Sequence, residues 1–100
     1  MGSNAYYQYV VVAHNIYQRF YEGTQRSIDI YRELILEAES YLARRYKEAE
    51  DELIGECIYF LSDIDEYNNK IKELEAEGKS FLIKANKYKD KMRELEEEML

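Results

Sequence analysis

His14 and Cys57 are the only histidine and the only cysteine in the chain, and most nucleophilic or metal chemistry would have to begin with them. An imidazole acts as a general base when a hydroxyl or thiol lies beside it and a third group orients the ring. No Ser or Cys stands in sequence with such a partner, so His14 reads as a polar position on a helix. One cysteine excludes an internal disulfide and any cysteine-based metal cluster. Cys57 has no basic neighbour in sequence to lower its pKa, and it reads as a small buried hydrophobe.

Carboxylates are plentiful, but their pattern is not that of a metal centre. Helical di-iron sites use Glu-x-x-His pairs projecting inward, and His14 stands in no such pair. Glu37 and Glu39, the run Glu48, Glu50, Asp51 and Glu52, and Glu96 to Glu98 read as solvated faces or helix ends. The four glycines are too scattered for a phosphate-cradling loop. The sequence therefore assigns no catalytic residue, no cofactor and no metal ligand, and the chain reads as non-enzymatic.

The segment YLARRYK, residues 41–47, is the best basic patch. Arg44, Arg45 and Lys47 could contact phosphates while Tyr41 and Tyr46 stack on bases, which makes nucleic-acid binding through the Tyr/Arg-rich first half one alternative. Glutamates flank the patch, and a net charge of −7 argues against nucleic acid as partner. Up to Lys47 the balance is +1, and from Glu48 onward it is −8. The acidic half raises a second alternative, a small inhibitor that imitates nucleic acid and blocks the protein that binds it. Ion pairing between the two halves is the plainer reading.

Any such residues must be positioned by helices, because apolar residues recur at three- and four-residue spacing almost throughout. The first row is Tyr6, Val10, Ala13, Tyr17 and Phe20. Ile28, Tyr31, Ile35, Ala38 and Leu42 follow, then Leu53, Cys57, Phe60, Ile64, Tyr67, Ile71 and Leu74, and finally Phe81, Ala85, Tyr88, Met92 and Leu95. No strand-like alternation runs over a comparable length. Leu, Ile, Val and Phe supply 24 residues, enough for a core, and Pro is absent.

Gly23 followed by Thr24, and Gly78 followed by Ser80, match helix stops with caps for the next helix. They predict a helix near 5–22, a long middle helix over 25–77, and a last helix over 80–99. Gly55 and Ser62 are rival breaks within the middle region, which would make residues 55–62 a connection. The unbroken phase from Leu53 to Leu74 favours a continuous helix. The fold expected is all-α: an elongated antiparallel bundle or coiled coil of three helices, with four as the alternative. Residues 5–100 form one domain, and residues 1–4 read as an expression scar. In length the chain resembles the small secreted helical hairpins that carry a Trp-x-Gly turn, but it has no Trp, and the resemblance is one of size. No 34-residue self-similarity of the tetratricopeptide kind is present.

Apolar residues cover too much of the helical circumference for one seam. The first helix carries them on most sides, and in LIGECIYFL, residues 53–61, Ile54, Ile58, Tyr59 and Leu61 lie off the row through Leu53, Cys57 and Phe60. The expected function is a protein-interaction or assembly module acting through apolar helix faces, self-associating as a dimer. Its interface residues would be Tyr6, Val10, Tyr17, Ile54, Ile58, Tyr59 and Leu61. A heterologous protein partner, as for an export chaperone or a secreted hairpin, is a further alternative. No segment reaches the roughly 20 apolar residues of a membrane helix, and a cytoplasmic location is expected.

Overall fold

A computed structural model describes the backbone of residues 2–48 and 54–100, and the side chains of residues 4–45, 47 and 58–100. Two helices account for it: α1, Gly2–Glu48, and α2, Ile54–Met99. The protein is all-α, with no strand among the described residues. The two helices pack against each other as an antiparallel hairpin, where the sequence predicts three or four helices. Two compact units divide it: Met1–Gln25 with Ala76–Leu100, called unit 1, and Arg26–Glu75, called unit 2.

Each expected break has a physical reason for failing. Gly23 and Gly78 both lie inside helices, and no glycine has positive φ among the described residues. Gly78 is small because the helices meet there. A Cβ at that position would stand 2.6 Å from Thr24 Oγ1. Thr24 caps nothing. It is buried in mid-helix, and its hydroxyl donates to the Tyr21 carbonyl oxygen at 2.6 Å. Ser80 is likewise an interior residue of α2.

The predicted middle helix over 25–77 is also corrected. α1 ends at Glu48 with Arg45 and Lys47 in its last turn, where cations complement the partial negative charge of the helix end. The chain has reversed direction by Ile54, so Tyr31 faces Tyr67, with ring centroids 5.8 Å apart, and Tyr41 faces Phe60 at 4.9 Å. Gly55 and Ser62 are both within α2, so residues 55–62 form no connection. The connecting residues 49–53 lie outside the described ones.

Within unit 1 the seam consists of Tyr7, Val10, His14, Tyr17, Tyr21 and Thr24 on α1. Opposite them on α2 stand Gly78, Phe81, Ala85, Tyr88, Met92 and Leu95. All twelve are buried or half-buried. Tyr17 stacks on Tyr88 with centroids 5.8 Å apart and also meets Phe81 at 6.4 Å. These two rings bracket Ala85, so the large Tyr17 is set against a small residue. In unit 2 the seam is Ile28, Tyr31, Ile35, Ala38 and Leu42 against Phe60, Ile64, Tyr67, Ile71 and Leu74. Burying an aliphatic chain such as Ile28 contributes about 2–3 kcal/mol. Ion pairs add little: Arg32 reaches Glu75 at 3.6 Å, but both side chains are more than half exposed.

Tyr7 adds a pH-sensitive contact in unit 1. Its hydroxyl donates to Glu96 Oε1 at 2.7 Å, and that bond is the main reason its pKa lies above the usual 10.0. Tyr88 is raised as well, chiefly by its hydrogen bond to Tyr9. The folded state thus holds these protons more tightly than the unfolded chain. The associated stability is complete below pH 10 and is lost as pH rises through the folded pKa. Denaturant midpoints measured from neutral to strongly alkaline pH should fall at the alkaline end, and Tyr7→Phe should make that fall shallower.

Candidate apolar interface

The seven interface residues proposed from sequence separate into three groups. Val10 is fully buried in the chain's own core, and Tyr17 is half-buried in the aromatic stack with Tyr88 and Phe81. Tyr6, Ile58, Tyr59 and Leu61 are exposed. Ile54 is helical, but its side chain lies outside the described residues, as does that of Cys57. The row Tyr6, Val10, Ala13, Tyr17, Phe20 therefore straddles two faces. Val10 and Tyr17 point into the hairpin; Tyr6, Ala13 and Phe20 belong to a different line, although the Phe20 ring also meets Phe81 of α2 at 5.2 Å.

That line is one the sequence reading does not separate from the other apolar residues around the first helix. Tyr6, Tyr9, Ala13, Ile16 and Phe20 are spaced three, four, three and four residues apart, a second heptad seam on the same helix. Four of the five are exposed, with Ala13 half-buried between them, and Val12 beside them is exposed too. Residues 9, 12, 13, 16 and 20, with Tyr17 and Tyr88 at the edge, line a shallow groove of about 240 Å³. The signal that could have found it is charge: residues 1–18 contain no Asp, Glu, Lys or Arg, in a chain that is 35% charged. A solvent-facing helix ordinarily carries charge on its outer side.

The edge of the groove on α2 is charged. Lys84 Nζ lies 5.3 Å from the centre of the Tyr17 ring, within cation–π range. Glu94 lies near Tyr6, and Lys91 Nζ reaches it at 3.3 Å, which raises the Lys91 pKa. In unit 2, Ile58, Tyr59 and Leu61 make an exposed apolar patch at the start of α2, and on α1 Ile30 and Leu36 are exposed singly.

The other candidates are placed as follows. Arg44 and Lys47 are exposed, whereas Arg45 is half-buried. Tyr41 packs on Phe60, and Arg44 shares a groove with Glu37 and Asp63, whose carboxylates disfavour a phosphate there. His14 is half-buried in the unit 1 seam, with Nδ1 3.3 Å from Asn15 Oδ1. Among the described residues no three His, Cys, Asp or Glu side chains gather as metal ligands, and no helix is long and apolar enough to cross a membrane.

No family model matches the chain, and no curated protein or solved structure is significantly similar to it. Function must be read from the surface.

Proposed function

We propose that the protein is a non-enzymatic interaction module that acts by burying an apolar helix face against another protein chain, and that it associates with itself. The observation that carries this reading is the largely exposed stripe Tyr6, Tyr9, Ala13, Ile16 and Phe20 on α1, which α2 covers only at its edge, where Phe20 meets Phe81 at 5.2 Å and Tyr9 meets Tyr88 at 6.5 Å. One seam already joins the helices, and even with their edge contacts to α2 Tyr9 and Phe20 remain at least half exposed. Contiguous exposed apolar surface of this kind marks protein contacts in soluble chains. Aromatic residues, three of the five here, are the type that dominates interface energetics.

Light scattering in native buffer tests the reading. The purified chain should have the mass of a dimer or a larger assembly. Ile16→Glu should raise the dissociation constant at least about 100-fold, because it sets a charge in the centre of the contact. Ile16 is 44% exposed within the chain, so helix content by circular dichroism should stay unchanged. A wild-type chain that stays monomeric at high concentration would remove self-association from the proposal.

A further inference from the structure

The geometry points to a second copy of this chain as the occupant of the α1 stripe, packed antiparallel about a twofold axis that passes beside Ala13. This rests on the self-association proposed above and specifies its geometry. A closed pair requires a patch complementary to itself under a half-turn. The stripe has that form. Ala13 is its middle member, with Tyr9 and Tyr6 on one side and Ile16 and Phe20 on the other. Reversing the direction sets Tyr6 level with the partner copy's Phe20, and Tyr9 within one residue of the level of its Ile16, while the two small Ala13 residues allow close approach at the axis. No formal charge lies within residues 1–18 to oppose the contact.

The charged edge of α2 obeys the same axis. Thr24 and Gly78 are directly opposite each other. Eleven residues along each helix from that pair stand Ala13 and Lys89, which are therefore at one level. Lys84 and Glu94 lie five residues to either side of Lys89, and both border the stripe, Lys84 at Tyr17 and Glu94 near Tyr6. A half-turn at the Ala13 level carries Lys84 of one copy to Glu94 of the other, twice per dimer. A single axis thus makes both the apolar stripe and its charged edge self-complementary. Neither a parallel pair nor an antiparallel pair shifted by a heptad does so.

The full-length chain carrying Cys57→Ser provides the background for the test, with no other thiol present. Ala13→Cys in that background should yield a covalent dimer under mild oxidation, because only residues close to the axis meet their own copies. Gln8→Cys, off the stripe, should not. Lys84→Glu alone and Glu94→Lys alone should each weaken the dimer roughly tenfold, since each acts at two symmetric contacts, and the double reversal should restore wild-type affinity. A dimer by light scattering without the Ala13→Cys cross-link, or without rescue in the double reversal, overturns the axis while leaving self-association standing. A monomer, including one that holds a different protein on the stripe, overturns both.

Discussion

Replacing Gly78 by leucine should destabilise the hairpin by about 3 kcal/mol, read as a lower urea midpoint at fixed protein concentration. The first added atom already lacks room, at 2.6 Å from Thr24 Oγ1. Thr24 cannot simply yield, being buried and bound to the Tyr21 carbonyl. The remaining leucine atoms have to force the helices apart. Two opposing effects decide the milder Gly78→Ala change. Alanine favours helix over glycine by about 1 kcal/mol, and the clash with Oγ1 opposes it. In a Thr24→Ala background the oxygen is gone and the nearest Thr24 carbon, at 3.5 Å, is in ordinary contact. There Gly78→Ala should stabilise by about 1 kcal/mol, clearly more than in the wild-type chain. Equal effects in the two backgrounds would show that the close approach is not felt.

Ile28→Ala should cost about 2–5 kcal/mol, whereas Ile30→Ala, two residues away on the same helix, should change stability by no more than about 0.5 kcal/mol. Ile28 is 1% exposed and Ile30 is 58% exposed. Removing Ile28 beyond its Cβ leaves a cavity in a seam only one layer thick, and the loss is large against the roughly 5–15 kcal/mol that small domains possess. Paired urea titrations of the two variants measure the contrast. Similar losses would mean that Ile30 is covered in solution, placing a contact on unit 2 as well.

The sequence made the helical class and most of the seam readable. From Ile28 to Leu42 and from Phe60 to Leu95, every residue picked by spacing is buried or half-buried, as are Leu34, Tyr41, Asp63, Gly78, Leu82 and Lys91 beside them. The expected number of helices fails because Gly23 and Gly78 resemble helix stops in sequence yet lie inside α1 and α2. Gly78 sits four residues after Leu74 and three before Phe81, so the apolar phase passes through it unbroken. An interruption would be expected to reset that phase, and its persistence was the available clue that glycine there serves close packing. The reversal between Glu48 and Ile54 had no such signal, because the segment carries neither Gly nor Pro and is rich in acids. At the candidate interface, Tyr6, Ile58, Tyr59 and Leu61 are exposed on the hairpin, whereas Val10 is buried in it. Tyr9, Ile16 and Phe20 do not stand out as a line in sequence because tyrosine, isoleucine and phenylalanine suit a core equally well, and only the register of the hairpin tells the two stripes apart.

Thr24 seated on Gly78 acts as a key in a keyway. Rods with a seven-residue repeat can slide past one another in whole-repeat steps, each step setting apolar on apolar again. One such step here would set the Tyr17 ring against Gly78 in place of the Thr24 hydroxyl, where the helices leave room for only a small side chain. Unit 1 is thereby held in one alignment, and load along its axis meets a strut that resists slippage.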